Sequence, residues 1–135
     1  LIVYLCKVYT APFDVRLFEE NDVSPEDVSI VVQPDLSVIC DSSKTDGHGC
    51  KGAPDMVVEV TSPSTARYDK LLKFNLYQRA GVREYWIVDP AARVISVYTL
   101  KDGYYRAAAY GADSSVRVGV LDDCTIDLST VFPET

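Results

Sequence analysis

Two acidic residues within apolar stretches are the first candidates for chemistry in this chain. Glu59 stands among Met56, Val57, Val58 and Val60, and Asp35 lies in a second apolar run. A carboxylate among such side chains is costly to bury unless a cation or a hydrogen-bond donor binds it. Two such carboxylates on neighbouring strands would form an oxygen site for Mg²⁺, which prefers one or two carboxylates, water and phosphate oxygens.

A lysine beside these carboxylates would complete the needs of phosphodiester hydrolysis. Metal activates water, and an ammonium stabilises charge that develops on the phosphate. Lys73 is the candidate, in an i, i+4, i+8 line with Asp69 and Tyr77 on a predicted helix. The residues also allow a structural interpretation, with Asp35 as an edge residue, Glu59 ion-paired to a lysine and Lys73 solvated.

The supporting residues have two interpretations each. Asp69 fits an i, i+4 partner of Lys73 or a first-turn helix acid, with a role in the site as the second alternative. Tyr77 fits a packing residue or a hydroxyl partner of the site better than a catalytic group. Asp55 also follows a proline, but at the start of the Glu59 strand, so it ranks below Asp35.

A strand–helix–strand unit between residues 52 and 90 positions these groups. The apolar strand of Glu59 ends at Ser62-Pro63-Ser64-Thr65, because proline cannot continue a ladder and the hydroxyls can cap a helix. A helix and a second apolar strand, 85–89, follow. A crossover of this length predicts parallel neighbouring strands. Side-chain alternation predicts that Val57, Glu59 and Thr61 share one face.

The remaining pattern predicts a sheet around this unit. The strand 28–40 should pair antiparallel with the Glu59 strand, and Pro34 indicates an edge position or a bulge. If that strand is regular through Pro34, Gln33, Asp35 and Ser37 share a face. The other predicted elements are a strand at 11–18, a hairpin joining 93–100 to 104–110 through Lys101-Asp102-Gly103, and a helical turn within 126–132.

Composition indicates one soluble globular domain over 1–135, with its core at about 11–132. The chain has 47% hydrophobic and 24% charged residues. A net charge of -7 argues against a nonspecific nucleic-acid coat, which is normally basic. Residues 67–83 nevertheless contain five basic residues and one acid, so a local face could meet phosphates.

The cysteines and the first residues bear on the cellular compartment and on the assembly of the protein. Four cysteines without C-x-x-C spacing predict reduced thiols in a cytoplasmic protein. The apolar run 1–5 is too short to span a membrane and lacks signal-peptide flanks. Because this run starts at Leu1 and the helix is apolar on nearly every side, we expect a homodimer or a fragment that has lost a covering element.

Several blocks in order resemble a known family. They are Gln33-Pro34-Asp35-Leu36, the run Pro54-Asp55-Met56-Val57-Val58-Glu59-Val60-Thr61-Ser62-Pro63-Ser64, the residues Asp69, Lys73 and Tyr77, and Gly81-Val82-Arg83-Glu84-Tyr85-Trp86-Ile87-Val88-Asp89-Pro90. Together they resemble the Uma-type restriction endonuclease-like family of the PD-(D/E)XK nuclease superfamily.

The resemblance implies an α/β (α+β) fold, a mixed β-sheet flanked by helices, and Mg²⁺- or Mn²⁺-dependent DNA cleavage. It assigns Asp35 and Glu59 as the two metal-binding acids. The usual lysine two residues beyond the second acid is replaced by Thr61, and Lys73 resembles the migrated replacement. The superfamily's first helix looks truncated. A non-catalytic interaction or assembly module of the same fold is the alternative, favoured by the acidic balance, whereas the Asp35, Glu59 and Lys73 set favours the nuclease.

Overall fold

A six-stranded mixed sheet forms the centre of the protein. The computed structural model describes residues 5–18, 30–62 and 67–133, without the side chain of residue 68. The strands are β1 Lys7–Thr10, β2 Val15–Arg16, β3 Leu36–Ile39, β4 Thr45–Asp46, β5 Gly49–Lys51, β6 Met56–Val60, β7 Glu84–Asp89, β8 Val94–Lys101, β9 Tyr104–Gly111, β10 Ser115–Arg117 and β11 Thr125–Asp127. The helices are α1 Arg67–Ala80 and the short α2 Leu128–Val131, and the main sheet has the order β1-β3-β6-β7-β8-β9.

The strand–helix–strand unit predicted from the sequence is confirmed. Strands β6 and β7 pair in parallel, with Glu59 opposite Ile87, and α1 connects them. The helix ends where Gly81 adopts a φ of +87° and donates its N–H to the carbonyls of Tyr77 and Gln78. Glycine takes this left-handed conformation without a Cβ penalty and satisfies the last carbonyls of the helix.

The two faces of the sheet bury different clusters. Helix α1 packs on one face, where Tyr77 and Phe74 lie over Val57, Tyr85 and Tyr98. The opposite face is covered by the C-terminal segment, whose buried apolar residues are Val116, Val118, Leu128 and Phe132. The helical turn expected near the C terminus therefore packs into this second core.

The antiparallel parts of the sheet follow the predicted hairpins. Strand β3 pairs antiparallel with β6, and β8 pairs antiparallel with β9. Asp102 and Gly103 both have positive φ between the paired residues Lys101 and Tyr104. A turn of this kind matches the right-handed twist of the flanking strands, which explains why Asp-Gly is a strong hairpin signal.

Two predicted strands are wrong in extent, and prolines explain both differences. In the range 11–18, only Val15–Arg16 is a strand, and the main sheet instead uses Lys7–Thr10. In the described part of 28–40, only Leu36–Ile39 joins the ladder, while Val32 makes an isolated bridge to Val15. Pro12 and Pro34 lack the N–H that a continuous ladder requires. Residues 28 and 29 lie outside the described residues.

The expectation of four reduced thiols is also wrong. Cys6 and Cys40 form a disulfide that links the chain beside β1 to the chain beside β3. Cys50 is a buried free thiol, and burial raises its pKa to about 11. The pairing of β1 with β3 brings residues 34 positions apart in sequence into contact, which the spacing of the cysteines did not indicate.

Within the described residues, neither helix has the length and apolar character needed to cross a bilayer.

Gly49 should be sensitive to substitution. It has a φ of +112°, and an added Cβ would overlap the carbonyl oxygen of Asp14. We expect Gly49→Ala to lower the free energy of unfolding by about 2–3 kcal/mol, because both the backbone conformation and the close approach exclude a side chain. Urea denaturation measures this.

The matched control is Gly47→Ala in the same hairpin. A Cβ there would meet nothing within 4 Å. Its unfolding midpoint should stay near that of the wild type, and equal losses in the two variants would contradict the explanation.

Candidate active site

Asp35 and Glu59 lie next to each other on adjacent strands. Leu36 pairs with Val58 and Ser37 with Val57, so the same register sets Asp35, just before β3, opposite Glu59. Glu59 shares the face of Val57, which is the face that α1 covers. The alternation predicted from the sequence therefore holds even though the β3 ladder begins only after Asp35.

Two backbone hydrogen bonds connect the segments that carry the two acidic residues. The backbone N–H of Asp35 donates to Oε1 of Glu59 at 3.1 Å, and the backbone N–H of Val60 donates to Oδ2 of Asp35 at 2.7 Å. Each carboxylate thus accepts a hydrogen bond from the strand that carries the other. These reciprocal bonds fix the relative positions of the carboxylates more closely than pairing of the strands alone.

The second oxygen of Glu59 meets α1. Nζ of Lys73 lies 2.8 Å from Oε2, and the hydroxyl of Tyr77 donates to the same oxygen at 2.9 Å. Glu59 is 7% exposed, so this carboxylate is buried with three donors around it. Lys73 is one helical turn before Tyr77, which is why both side chains reach the same atom.

Tyr77 is fully buried and neutral. Burial raises the pKa of its hydroxyl, and the nearby charge of Glu59 raises it further. Its ring packs edge-on against Tyr85 at a centroid distance of 4.9 Å. The hydroxyl therefore remains a hydrogen-bond donor to Glu59 across the ordinary pH range, and the ring cannot swing away without opening the core.

A cavity of about 750 Å³ lies over these groups, between the ends of β3 and β6 and the first turns of α1. Asp35, Glu59 and Lys73 all line it, together with Thr61, Asp69 and Lys70. Apart from Gln33, its remaining wall is apolar, and Val31, Val60 and Leu72 are exposed there. The sequence pattern had not indicated this apolar wall, since it joins three segments that are distant along the chain.

The supporting residues differ in what they contact. Thr61 is tied to Val88 through both its N–H and its hydroxyl, which extends the β6–β7 pairing beyond Val60. Among the described ion pairs, Lys73 is joined to Glu59, and Asp69 lines the cavity nearby. The i, i+4 spacing of Asp69 and Lys73 thus did not determine which carboxylate the ammonium meets.

Asp55 lies away from this cavity, at the other end of β6. It accepts the backbone N–H of Cys40 at 2.7 Å and is 3.7 Å from the guanidinium of Arg83. These contacts hold the β3–β6–β7 edge together. Ranking Asp55 below Asp35 as a site residue agrees with this geometry.

The donor set fits a hard divalent ion. The described contacts use only Oδ2 of the Asp35 carboxylate, so Oδ1 of Asp35 keeps its lone pairs. Oε1 of Glu59 accepts one hydrogen bond and keeps a second lone pair. In residues 5–18, 30–62 and 67–133, no group of three or more His, Cys, Asp or Glu is placed to hold a metal. A site with two carboxylates suits Mg²⁺, which keeps several waters and takes phosphate oxygens, better than Ca²⁺ or Zn²⁺.

Comparison with known families identifies the chain. Residues 4–129 match the family model described as "Uma2: Putative restriction endonuclease". The chain belongs to the Uma2 family. The matched range contains both strands of the acidic pair and the whole of α1.

This Uma2 chain is similar in sequence to one curated protein and in fold to one solved structure. It is 37% identical over 70 residues to "Uncharacterized protein slr1290" of Synechocystis sp., a match that covers 51% of the chain and 37% of that relative. It superposes on the crystal structure of "a putative nuclease belonging to DUF820" from Anabaena variabilis with a TM-score of 0.69 and 16% identity, covering 94% of this chain and 68% of that one. The restriction endonuclease-like fold expected from the sequence is confirmed.

Replacing Tyr77 tests how Glu59 is held. Tyr77→Phe keeps the packing and removes one donor to a buried carboxylate, so we expect the free energy of unfolding to fall by about 1–3 kcal/mol at neutral pH. Tyr104→Phe is the control, because Tyr104 is 70% exposed. Chemical denaturation of both variants measures the effect. Equal stability of Tyr77→Phe and wild type would show that Glu59 does not need this hydroxyl.

Proposed function

We propose that this Uma2 protein is a metal-dependent endonuclease that hydrolyses phosphodiester bonds in DNA. One observation carries the proposal. The carboxylates of Asp35 and Glu59 each accept a backbone hydrogen bond from the strand that carries the other, and the ammonium of Lys73 lies 2.8 Å from Glu59. Membership of a restriction endonuclease family and the fold of the Anabaena protein support it. We also propose that the protein acts in the cytoplasm, where it would meet a DNA substrate.

In this mechanism, Asp35 and Glu59 would hold one Mg²⁺, or Mn²⁺, through the lone pairs that their hydrogen bonds leave available. The bound ion would lower the pKa of a water and neutralise charge on the phosphate. Tyr77 and the N–H of Asp35 orient Glu59, so that its free lone pair is at Oε1. Glu59 would thus offer Oε1 to the ion, and Asp35 would offer the carboxylate oxygen that does not accept the N–H of Val60.

Lys73 has two tasks in the proposed reaction. Before the substrate binds, its ammonium balances the buried Glu59. Because its side chain is still 41% exposed, it can also face a phosphate in the cavity, where it would stabilise the charge that develops as water attacks phosphorus and the leaving oxygen departs. Lys70 lines the same cavity and would add attraction for the phosphates of the DNA backbone.

Cleavage by two lysine variants tests this role. With saturating Mg²⁺, Lys73→Met should cut plasmid DNA about 10²–10³-fold more slowly, the loss typical of removing one charge-stabilising group. Lys70→Met should lower the rate mildly and reduce its salt dependence, because it removes an attraction to phosphate but no contact with Glu59. Equal mild losses would leave Lys73 as an ordinary ion-pair partner.

Glu59→Gln serves as the second arm of this experiment. It should abolish metal-dependent nicking, since an amide is a poor ligand for Mg²⁺. Titration of the wild type with Mg²⁺ and then with Mn²⁺ gives the metal requirement. Absence of nicking by folded wild-type protein at every metal concentration would reject the nuclease and favour the alternative, a non-catalytic interaction module.

The surface supports a further part of the proposal, a homodimer. Leu5 is 76% exposed and Leu71 is 59% exposed, and Leu72 and Val60 are exposed beside the cavity. The helix is thus apolar on its outer side as well as on the side packed against the sheet. Exposed apolar side chains on a helix favour a contact with another protein surface.

Light scattering at increasing protein concentration tests the dimer. We expect a mass of twice 14.9 kDa at high micromolar concentration. Leu71→Lys should shift the protein to the monomer, because a buried charge at an interface without a partner is costly. Lys101→Glu, at the end of β8, is the control. A monomer at all concentrations would contradict the dimer.

A further inference from the structure

A second cavity of about 660 Å³ adjoins the first one. Both are lined by Val31 and Gln33, so they share a wall. The second cavity is formed by the chain around Phe13 and Arg16 on one side and by the β4–β5 hairpin on the other. A strand of DNA with its phosphate at Asp35 and Glu59 would pass this opening with the neighbouring nucleotide, so the inference rests on the proposed function.

The charges of this cavity do not suit a phosphate. Arg16 is 3% exposed, and its guanidinium donates to Asp46 at 2.6 Å and to the carbonyl of His48 at 3.1 Å. The hydrogen bond from Arg16 lowers the pKa of Asp46, so both groups are charged and their charges cancel. Asp14 then leaves the cavity acidic, which disfavours an anion.

The hydrogen-bonding groups suit a nucleobase. Asp14 and Gln33 face each other across the bridge between Val15 and Val32, and the Gln33 amide donates to Oδ1 of Asp14 at 2.6 Å. That bond leaves the second oxygen of Asp14 and the carbonyl of Gln33 as acceptors. In the described part of the chain, Nε of Arg16 is a buried donor without a partner. The wall therefore offers acceptors beside one unsatisfied donor.

An aromatic ring completes the cavity. Phe13 lines it and stacks on Tyr9, with a centroid distance of 4.4 Å and an interplanar angle of 12°. Stacking on aromatic side chains is how proteins hold unpaired bases. The apolar rim formed by Val31, Val60 and Leu72 also suits exposed bases better than a duplex backbone.

We propose that this second cavity binds the nucleobase next to the scissile phosphate, so that the enzyme acts on an unpaired stretch of DNA. The base would stack beyond Phe13 and present its exocyclic amino group to Asp14 and Gln33. Adenine, guanine and cytosine carry such an amino group, and thymine does not. The cavity therefore discriminates against thymine.

Deoxynucleosides test this inference without involving cleavage. They carry no phosphate and need no metal, so amide chemical shifts can be followed by nuclear magnetic resonance as each nucleoside is added at millimolar concentration. Deoxyadenosine should shift the amides of Phe13, Asp14, Gln33 and Gly47. Thymidine should bind about fivefold more weakly, because one acceptor loses its donor.

Two variants make the test specific. Asp14→Asn keeps the shape and adds an N–H₂ donor, so it should raise the affinity for thymidine relative to deoxyadenosine. Phe13→Leu should weaken every nucleoside at least fivefold, since stacking is lost. Asp122→Asn, in the segment that covers the opposite face of the sheet, is the control and should leave the ratio unchanged.

The outcomes separate this inference from the nuclease proposal. Nucleoside binding with no DNA cleavage would support the cavity and reject the nuclease. Cleavage without shifts at the cavity, equal binding of thymidine and deoxyadenosine, or shifts with inorganic phosphate alone would overturn the nucleobase site.

Discussion

The burial of the Glu59 carboxylate is the constraint on which the rest of the site depends. A buried carboxylate at 7% exposure needs donors, and three groups from two parts of the chain supply them: the backbone N–H of Asp35 before β3, and Lys73 and Tyr77 of α1. Leaving such a group unpaired would cost several kcal/mol. Packing of α1 on the sheet and the register of β3 are thus tied to one side chain.

These donors also limit what Glu59 can do chemically. Two of them share Oε2 and one uses Oε1, so a single direction remains open toward the cavity. Asp35 is exposed and its carboxylate accepts only one described hydrogen bond, so it is the more adaptable of the two acids. In the proposed metal site, one rigid acid and one adaptable acid would keep the geometry and still admit a changing set of water and phosphate ligands.

Charge is distributed unevenly around this centre. The whole chain carries a net charge of -7, whereas α1 brings Lys70 and Lys73 to the cavity. Two further basic residues nearby are engaged elsewhere: Arg79 lies over the ring of Phe18, and Arg83 pairs with Asp55. Lys70 and Lys73 are therefore the basic residues of α1 that line the cavity, where they would attract a phosphate in the proposed reaction.

Local patterns in the sequence determined the central unit and the candidate residues. The apolar strands β6 and β7, the crossover helix and the Asp-Gly hairpin follow from periodicity and turn chemistry, since these signals act over a few neighbouring residues. The acid within an apolar strand was conspicuous for the same reason. The residue types also suggested the association of Asp35 and Lys73 with Glu59, and the family blocks favoured it further; the roles of these residues in catalysis stay predictions.

Only the tertiary structure decided which groups meet across the chain. It paired Lys73 with Glu59 rather than Asp69, joined Cys6 to Cys40, and began the β3 ladder only at Leu36, after Pro34. It also set Asp14 and Gln33 beside the buried Arg16. Contacts between residues this far apart depend on strand register and helix placement, and both are set by packing of the whole core rather than by the spacing of residues along the chain.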